Sequence, residues 1–420
     1  DLYELTMMQG YFKTGNNRTV IFDAFHRNNP CGGGYAIACG LDQVIDYIKN
    51  LHFTDDDIAY LSSLNLFDND FLDYLKNFHF TGDIYAIPEG TLIFPREPIV
   101  KVIAPIIEAQ LVETAILNII NHQSLIATKA ARVCYAAKGD GIMEFGLRRA
   151  QGPDAGIYGA RAAVIAGCVG TSNVLTGQMF DVPVKGTHAH SWIMSFPDEY
   201  TAFKTYADLY PNACILLVDT YDTLRSGVPN AIRVFKEMRE AGIELKGYGI
   251  RLDSGDLAYF SKKARKMLDD AGFEDAIISA SSDLDEYLID SLKTQGAAIT
   301  SWGVGTNLIT AKDNPAFSSG EVAWLLNDGQ EPKPWGQGSN DMPVLTSNPP
   351  EDVTCTAPVR VTIQMPDGTA VQYGYTTAGE ALAEYPSHLN GKTYTFYEDS
   401  NFATPIDTAT KTYEKDTVIY

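Results

Sequence analysis

Positive charge is scarce in this sequence. Its 420 residues include 32 Lys and Arg but 53 Asp and Glu, which gives a formal net charge of -21. Binding to nucleic acid or to an anionic membrane surface depends on basic patches, so we expect neither kind of partner. The deficit does not exclude a phosphate ligand, because a few clustered Arg and Lys side chains can reverse the sign of the charge locally.

Cysteines and long apolar runs are also rare. The six cysteines form no CxxC pair, and we expect them to be reduced, buried and structural in a cytoplasmic protein. No apolar run reaches the length of a membrane span. The opening residues, DLYELT, lack an initiating Met, which indicates a trimmed start, and they lack the features of a signal peptide. The seven histidines show no metal-ligand spacing, so a zinc site is not expected.

The chain does contain a repeated unit, a short apolar run followed by a helical segment. Hydrophobic residues make up 45% of the chain, enough for a sizeable core and for two or three domains. A spacing of roughly 30 residues is typical of parallel strands joined by crossover helices. We expect the four strands to be parallel neighbours in one barrel-like sheet. They are Cys214–Asp219, Gly247–Leu252, Ala276–Ala280 and Ile299–Trp302.

The stretch GYGIRLDSGD, residues 247–256, is the clearest of these units. Its strand ends in a polar turn, and ligands of α/β folds bind at the carboxyl ends of the strands. Asp253 and Ser254 suit the N-cap of the next helix, where free amides also accommodate an anion. Capping is the simpler explanation for one unit, but polar residues or glycines end all four strands, which favours a shared site. They are Asp219, Arg251, Asp253, Ser281, Ser282, Gly303 and Gly305.

Two further motifs carry residues suited to anion binding or catalysis. EFGLRRAQGPD places Arg148 and Arg149 beside a Gln-Gly-Pro turn, where paired arginines suit bidentate recognition of phosphate or carboxylate. GTHAH places His188 and His190 at a predicted strand end. Two histidines in such a loop favour a functional role over that of ordinary core residues.

The segments on either side of the β-α units have a different character. The region before Glu108 is rich in strands, and a long helix is predicted from Glu108 to Tyr135. On that helix Lys129 and Arg132 are interpreted as a solvated face, with a phosphate contact as the alternative. Residues 328–352 are rich in Gly, Pro, Asn and Asp and predict a loop or linker, and PDGT between two alternating runs predicts a β-hairpin.

Nine motifs follow one another in the order DLYELTM, NPCGGGYAI, EGTLIFPREP, EFGLRRAQGPDAG, GTSNVLTG, GTHAHSW, VDTYDTLRSG, IRLDSGDL and WGVGTNLI. Together they resemble the nicotinate phosphoribosyltransferase family, the type II phosphoribosyltransferases. Agreement of many motifs in order is specific, whereas any one of them would be weak. The resemblance implies an α/β fold with an irregular, TIM-like β-α barrel over residues 108–318. It also implies a β-rich α+β domain from residues 1–107, with which the tail, residues 319–420, packs.

The resemblance further implies an activity. The family makes nicotinate mononucleotide and diphosphate from nicotinate and phosphoribosyl diphosphate, and it couples this reaction to ATP hydrolysis through a phosphorylated histidine. The chain is thus expected to act in NAD biosynthesis or salvage, with Mg²⁺ as cofactor and ATP as co-substrate. A cytoplasmic homodimer is the expected assembly.

The implied roles fall on specific residues. His190 matches the phosphorylated histidine, and Asp219 and Asp253 are implied catalytic residues that also serve Mg²⁺. The positions implied to contact nicotinate are Tyr3, which crosses the dimer interface, Phe145, Ser172, Thr187 and Arg251. Those implied for phosphoribosyl diphosphate are Arg148, Ser254, Gly255, Gly303, Gly305 and Thr306.

Ser172 bears on the choice of pyridine. Related enzymes that use nicotinamide carry Asp at this position of GTSN. An Asp would accept a hydrogen bond from an amide but would repel the carboxylate of nicotinate. The neutral Ser172 can donate to that carboxylate, with Arg251 as the counter-charge, so we expect a preference for nicotinate. GTSN also has the composition of a helix N-cap, which is the alternative role of Ser172.

Two other functions remain open at this point. Lys185, next to Gly186, could be the Schiff-base amine of an aldolase or isomerase barrel if burial lowered its pKa. A non-catalytic scaffold is the other possibility, because the sequence diverges from the family pattern after Pro315. That divergence leaves the tail as the part of the chain that the resemblance describes least well.

Overall fold

The computed structural model describes residues 1–312 and 314 and, beyond them, the strand segments 319–325, 335–337, 343–345, 359–364, 370–376, 380–381, 388–389, 392–393, 412–413 and 417–419. The chain divides into two compact units, Asp1–Leu326 and Asn327–Tyr420. Every residue of the predicted site lies in the first unit.

Helices and strands alternate through most of the first unit. The α-helices are α1 (Leu2–Thr14), α2 (Leu41–Lys49), α3 (Asp55–Ser63), α4 (Asn69–Lys76), α5 (Ile106–Ala136), α6 (Pro153–Ile165), α7 (Val174–Phe180), α8 (His190–Met194), α9 (Glu199–Leu209), α10 (Val228–Glu240), α11 (Leu257–Asp270), α12 (Glu286–Thr294) and α13 (Thr306–Ile309). The strands of this unit are β1 (Thr19–His26), β2 (Ala36–Ile37), β3 (Asp83–Ala86), β4 (Leu92–Ile93), β5 (Val100–Pro105), β6 (Gly141–Glu144), β7 (Gly170–Thr171), β8 (Ile215–Leu217), β9 (Gly249–Leu252), β10 (Ile277–Ala280), β11 (Ser301–Val304) and β12 (Ser319–Leu325).

An antiparallel sheet in the order β12-β1-β5-β3 occupies the N-terminal part of the unit. Side chains of β5 alternate between buried and partly buried positions, with Val100, Val102 and Ala104 facing the core. This alternation is typical of a sheet packed on one face. Helix α1 begins with a capping box formed by Asp1 and Glu4, and it packs against α5.

Helix α5, 31 residues long, contacts elements of both sheets, among them β5 and β6. Most of its side chains are buried, including the polar residues Ser124 and Thr128. Their hydroxyl groups accept hydrogen bonds from the backbone amides of Cys39 (3.0 Å) and Ile37 (2.9 Å). These two buried hydroxyl groups are therefore satisfied, and they join α5 to the segment that contains β2.

A second sheet contains six parallel strands in the order β7-β6-β11-β10-β9-β8. Leu217, Arg251 and Ser279 occupy the same level of adjacent strands, and the register continues to Ser301. Near-continuous apolar burial in β8, β9 and β10 is typical of parallel strands covered on both faces. The four predicted strands are thus confirmed as parallel neighbours, and their carboxyl ends lie at one edge. We call this edge, with the turns that follow it, the carboxyl edge.

Three local predictions at this edge were wrong. The N-cap of α11 is Asp256, which accepts from the Tyr259 amide (2.9 Å), whereas Asp253 and Ser254 were expected to cap it. Gly303 lies inside β11 and was expected in a loop. The strand predicted to end at GTHAH, with the sequence PVKGT, is a single parallel bridge from Val184 to Thr171.

The solvated face predicted for Lys129 and Arg132 was also wrong. Lys129 is buried and forms an ion pair with Glu286 of α12, with 2.6 Å between Nζ and Oε2. Arg132 Nε donates to the other carboxylate oxygen at 3.0 Å. Burial alone would raise the pKa of Glu286, but the two cations outweigh it and lower the pKa. These side chains join α5 to α12, so neither solvent nor phosphate is their partner.

The second unit is described only through short strands. β13 (Trp335–Gln337) pairs with β14 (Pro343–Leu345), and β15 (Val359–Gln364) pairs with β16 (Ala370–Thr376), each antiparallel. The second pair agrees with the predicted hairpin, whose PDGT turn lies outside the described residues, as does most of the predicted linker at 328–352. The remaining strands are β17 (Glu380–Ala381), β18 (His388–Leu389), β19 (Lys392–Thr393), β20 (Thr412–Tyr413) and β21 (Thr417–Ile419).

Several whole-chain expectations can be compared with this structure. The predicted boundary at residue 107 lies within the first unit, and the start of the predicted tail, β12, pairs with β1. The three-domain division stays a prediction. The described cysteines are free thiols, but Cys31 and Cys134 are only partly buried, and Cys355 lies outside the described residues. None of the described helices is both long and apolar enough to cross a bilayer.

Candidate active site

Asp219 lies at the centre of the carboxyl edge. It follows β8, and its side chain is only 1% exposed. Its Oδ1 oxygen lies 3.2 Å from Nε2 of His190, the first residue of α8. Its Oδ2 oxygen accepts hydrogen bonds from the backbone amide of Asp253 (2.8 Å) and the hydroxyl of Ser254 (2.6 Å). One buried carboxylate therefore holds three donors that come from two other segments of the chain.

The turn after β9, DSGD, is shaped by its contact with Asp219. The Asp253 carboxylate accepts a hydrogen bond from Ser281, which follows β10. Gly255 adopts a positive φ of 75°, a conformation that favours glycine, and a Cβ atom there would come within 2.5 Å of the Phe260 ring. The DSGD turn can therefore close tightly against the sheet, and Asp219, Asp253 and Ser281 follow three adjacent strands.

Arg251 is a buried cation with spare hydrogen-bonding capacity. Its Nη1 group donates to the hydroxyl of Thr187, whose own proton is directed to the His188 carbonyl (3.2 Å). Within the described part of the chain, Nε of Arg251 has no hydrogen-bond partner. Burial lowers the pKa of Arg251, although the nearby carboxylates of Asp253 and Asp219 act in the opposite direction. Such a cation favours an anionic ligand, which would also satisfy its free donor.

Phe145 and the glycines of β11 form the neighbouring part of the edge. The Phe145 amide donates to the carbonyl of Val304 at 2.8 Å. A Cβ atom on Gly303 would lie 2.5 Å from the Phe145 ring, so the missing side chain makes room for that ring. A Cβ on Gly305 would lie 3.3 Å from the Phe145 carbonyl oxygen. Phe145 is thereby packed directly against the Gly303–Thr306 segment.

The two arginines that follow Phe145 differ in their surroundings. Arg149 Nε donates to the hydroxyl of Thr306 at 3.1 Å, which joins the Arg148–Arg149 turn to the start of α13. Arg148 is exposed and makes no hydrogen bond within the described residues. Both cations border the edge where Arg251 lies, although the chain as a whole is acidic.

The two histidines of GTHAH have separate environments. His188 is packed edge-on against Tyr206, with 4.6 Å between ring centroids, and its Nε2 accepts from the Leu217 amide (3.4 Å). Burial lowers the pKa of His188 to about 4, so it is neutral near pH 7 and supports the fold. His190 is 37% exposed and faces Asp219. Only His190 combines access with an orienting carboxylate.

The Lys185 side chain is exposed, and its backbone amide donates to the Thr171 carbonyl at 2.9 Å. A Schiff-base lysine requires burial or a neighbouring cation to lower its pKa. The geometry therefore gives no support to the aldolase or isomerase interpretation.

Ser172 and Tyr3 complete the predicted set. The Ser172 amide donates to the Glu144 carbonyl (3.0 Å), and its partly buried hydroxyl makes no hydrogen bond within the described residues. The N-cap of α7 is Asn173, so Ser172 does not have the alternative role of a helix cap. Tyr3 is 42% exposed on α1, with its hydroxyl 3.0 Å from that of Thr114. No described hydrogen bond or ring contact joins Tyr3 to the carboxyl edge of its own chain.

Sequence reasoning missed two residues that organise this edge. Glu144 is a buried acid, and Thr171 donates to it at 2.6 Å. A carboxylate at the end of an apolar strand, directly before Phe145, was the available signal for Glu144. Thr171 had no comparable signal, because its partner lies 27 residues earlier in the chain.

Comparison with known proteins agrees with this geometry. Residues 1–121 match the family model described as the nicotinate phosphoribosyltransferase (NAPRTase) N-terminal domain, and residues 141–319 match that of the nicotinate phosphoribosyltransferase (NAPRTase) family. The chain belongs to the nicotinate phosphoribosyltransferase family. The predicted family is therefore confirmed over the part of the chain that contains the site.

Individual members of the family are similar over most of this region. The nicotinate phosphoribosyltransferase of Bacillus subtilis is 56% identical over 320 residues, which are 76% of this chain and 64% of that protein. The Mycobacterium tuberculosis enzyme of the same name is 48% identical over 317 residues, covering 76% of this chain and 67% of that protein. The chain thus spans slightly less than two thirds of the Bacillus relative.

A solved structure supports the fold of the whole chain. The crystal structure of human nicotinic acid phosphoribosyltransferase superposes with a TM-score of 0.70 at 27% sequence identity, covering 97% of this chain and 85% of the human one. This likeness confirms a mixed α/β fold built on a parallel sheet.

Protonation of His188 is expected to destabilise the fold. Because burial lowers its folded pKa to about 4 from 6.5, the unfolded chain binds the proton more tightly between these values. The contribution of neutral His188 is complete above pH 6.5 and is lost as the pH falls towards 4. We expect His188→Gln to reduce the acid-dependent loss in the free energy of unfolding by up to about 3 kcal/mol, measured by urea unfolding between about pH 7 and about pH 4.5.

The exposed His79 provides the control, and His79→Gln should follow the wild-type profile. A His188→Gln profile parallel to that of the wild type would contradict this assignment of the pH dependence.

Proposed function

We propose that this chain forms nicotinate mononucleotide and diphosphate from nicotinate and phosphoribosyl diphosphate, with ATP hydrolysis coupled through a phosphorylated His190. The reaction belongs to NAD biosynthesis or salvage. The observation that carries the proposal is the contact of His190 and the DSGD turn with the buried Asp219, close to the unsatisfied Arg251. Membership of the family and the sequence identity with its members support the same activity.

The pyridine substrate is assigned to the Arg251 side of the edge. Arg251 supplies a buried positive charge and a free Nε donor for the carboxylate of nicotinate. Thr187 fixes the guanidinium orientation, and the free hydroxyl of Ser172 is available as a second donor. Phe145, packed on Gly303, offers an aromatic face for the ring. A neutral pyridine amide would lack the charge that a carboxylate offers to this cation.

The phosphoribosyl group is assigned to the adjoining turns. Arg148 and the hydroxyl of Thr306 suit phosphate oxygens, and the backbone at Gly255 and Gly305 is open to close approach because it carries no side chains. Ser254 and the two aspartates supply the acceptors and donors that ribose hydroxyl groups require. The full set comprises Arg148, Asp219, Asp253, Ser254, Gly255, Gly303, Gly305 and Thr306.

The chemistry follows from where charge develops. The nitrogen of the pyridine ring forms a bond to C1 of the ribose as the bond from C1 to the diphosphate oxygen breaks. Positive charge grows on the ribose and negative charge on the leaving oxygens, so fixed carboxylates on one side and arginines on the other stabilise the transition state. Asp219 and Asp253 are placed for the first role, and Arg148 for the second.

Mg²⁺ fits the donor set as a partner of the substrate phosphates. The described residues contain no cluster of three or more His, Cys, Asp and Glu side chains able to hold a metal ion. Magnesium sites that include substrate phosphates need only one or two carboxylates. Asp219 and Asp253 are such a pair, and Asp253 Oδ2 accepts no hydrogen bond from any described residue. The bound ion would neutralise charge on the diphosphate.

His190 is assigned as the carrier of the phosphoryl group. A carboxylate only accepts hydrogen bonds, so in neutral His190 the contact with Asp219 places the proton on Nε2 and leaves the lone pair on Nδ1. Nδ1 can form a bond to the γ-phosphorus of ATP as the bond to the ADP oxygen breaks, and water later releases phosphate from the nitrogen. Because Asp219 also holds the DSGD turn, the charge on His190 can alter the geometry of that turn.

We further infer that the parallel sheet closes into an irregular barrel. Val184 bridges to Thr171 at one edge of the sheet, and His188, four residues later, contacts the Leu217 amide at the other edge. The segment 184–188 therefore reaches both edge strands. The chain is also proposed to act as a homodimer in which Tyr3 reaches the partner's site, since Tyr3 is exposed and does not contact its own.

Replacement of His190 should separate ATP hydrolysis from product formation. We expect His190→Ala to abolish substrate-dependent ATP hydrolysis and to leave slow, ATP-independent synthesis, because the transfer to ribose does not itself require ATP. The measurement is nicotinate mononucleotide formation by the wild type and the variant, with and without ATP. His52→Ala, at another exposed histidine, should behave like the wild type. Full ATP stimulation in His190→Ala would contradict the assignment.

A carboxylate at position 172 should select against nicotinate. We expect Ser172→Asp to lower kcat/KM for nicotinate by at least about tenfold, because two carboxylates would face each other in a partly desolvated pocket. The value for nicotinamide should fall less or rise. Ser172→Ala is the matched control, since it removes the hydroxyl without adding charge. An unchanged nicotinate value in folded Ser172→Asp would show that this residue does not contact the acid.

The proposed exchange of Tyr3 between subunits is testable by complementation. Co-expressed Tyr3→Ala and Arg251→Ala chains should form mixed dimers in which one site is intact. With equal amounts of the two chains, roughly a quarter of the sites would be complete, so activity should recover to about that fraction of wild type. Each variant alone should be strongly impaired. Absence of recovery in verified mixed dimers would exclude a contribution of Tyr3 across the interface.

A further inference from the structure

Glu144 is a fully buried acid that the proposed chemistry does not use. It is the last residue of β6, is 0% exposed, and lies in register with Val304 of β11 and Thr171 of β7. No Lys, Arg or His among the described residues forms an ion pair with it. A buried carboxylate without a counter-ion is unfavourable unless hydrogen bonds compensate it. An apolar side chain would serve better if this position only filled space.

The hydrogen bonds of Glu144 extend to two different turns. One carboxylate oxygen, Oε1, accepts from the backbone amide of Gly146. The other, Oε2, accepts from the hydroxyl of Thr171 at 2.6 Å, and that hydroxyl in turn accepts from the Asn173 amide at 3.0 Å. The carbonyl of Glu144 accepts from the Ser172 amide at 3.0 Å. The residue therefore holds both the turn after β6 and the turn after β7.

The contact through Oε1 restrains the arginine turn. A Cβ atom on Gly146 would lie 2.5 Å from Ile309 and 2.8 Å from the Glu144 carboxylate, so the chain passes here with no room for a side chain. The same turn continues to Arg149, which donates to Thr306. The phosphate-side residues are thus tied to Glu144 through the backbone of Gly146.

The contact through Oε2 restrains the GTSN turn. Thr171 and Asn173 flank Ser172, and Asn173 is anchored by its side-chain bond to the Gly156 carbonyl (3.2 Å). Because both neighbours of Ser172 are held, the backbone that carries its free hydroxyl keeps a fixed position. Loss of the Thr171 contact would release the pyridine side of the site and leave the Gly146 contact in place.

We propose that Glu144 is a positioning residue. Through its two carboxylate oxygens it holds the GTSN turn, on the pyridine side of the site, at a fixed distance from the arginine turn, on the phosphate side. The kinetic consequence of this inference rests on the proposed function. The restraint of the two turns by Glu144 does not depend on it. Glu144 acts through Ser172 and the arginine turn and does not itself touch substrate.

The two contacts can be tested separately by kinetics. Thr171→Val removes the Oε2 donor and the acceptor of the Asn173 amide, and it leaves the Gly146 contact in place. We expect it to raise KM for nicotinate about tenfold, with kcat and KM for phosphoribosyl diphosphate nearly unchanged. Glu144→Gln replaces one acceptor oxygen by an NH₂ group and should raise both KM values. Thr171→Ser keeps the hydroxyl and should restore the nicotinate value. In the double variant that combines Glu144→Gln with Thr171→Val, KM for nicotinate should be no higher than in Glu144→Gln alone.

Glu108 offers a matched control elsewhere in the fold. It is also buried, and its carboxylate accepts from the Thr81 amide (2.6 Å) and the Thr81 hydroxyl (2.8 Å), beside the antiparallel sheet. Glu108→Gln therefore reproduces the loss of the same kinds of hydrogen bond outside the carboxyl edge. It should leave both KM values unchanged, even if it lowers stability as much as Glu144→Gln does.

Hydrogen–deuterium exchange provides a readout that does not depend on activity. Exchange at residues 145–149 and 171–174 should accelerate in Glu144→Gln, and only the second segment should accelerate in Thr171→Val. Unchanged exchange, equal effects of Thr171→Val on both KM values, or the same pattern in Glu108→Gln would overturn the inference. If the wild type forms no nicotinate mononucleotide, the proposed function fails, and the exchange data still decide whether Glu144 positions the two turns.

Discussion

The carboxyl edge depends on one buried carboxylate, that of Asp219. It accepts hydrogen bonds from the backbone of Asp253 and the hydroxyl of Ser254, and it faces Nε2 of His190. An almost completely buried acid is costly unless donors surround it, so these segments must converge wherever the sheet places Asp219. The parallel register fixes that place, because residues that follow adjacent strands necessarily meet at the same edge. The arrangement of the carboxyl edge is thus a consequence of strand order combined with the requirement to satisfy one charge.

The same principle explains how a strongly acidic chain can present positive charge locally at the carboxyl edge. Net charge describes the whole molecule, whereas a ligand responds to the groups within a few ångströms of it. Burial weakens the solvent screening around Arg251, whose free Nε therefore provides a strong site for an anion. Arg148 and Arg149 add positive charge on a turn whose backbone is tied to Glu144.

Much of this arrangement could be predicted from the sequence, but only at the level of elements and motifs. Alternating strands and helices were enough to predict parallel neighbours, because few other connections satisfy that spacing. The N-cap of α11 was misassigned because the side chains of Asp253 and Asp256 have identical capping chemistry. The position of Asp253 depends on Asp219, which accepts a hydrogen bond from its backbone amide and lies 34 residues away in the sequence. Lys129 was misassigned for a similar reason, because its partner Glu286 comes from a distant helix.

The most direct test of this account is the exchange of a single oxygen of Asp219 for nitrogen. Asp219→Asn keeps the size of the side chain but removes the charge and one of the two acceptors. The account predicts a folded protein whose ATP-stimulated formation of nicotinate mononucleotide falls by about two to three orders of magnitude, because His190 and the DSGD turn lose their shared anchor. Wild-type kcat/KM and undiminished ATP stimulation in Asp219→Asn would contradict the central role given to this residue.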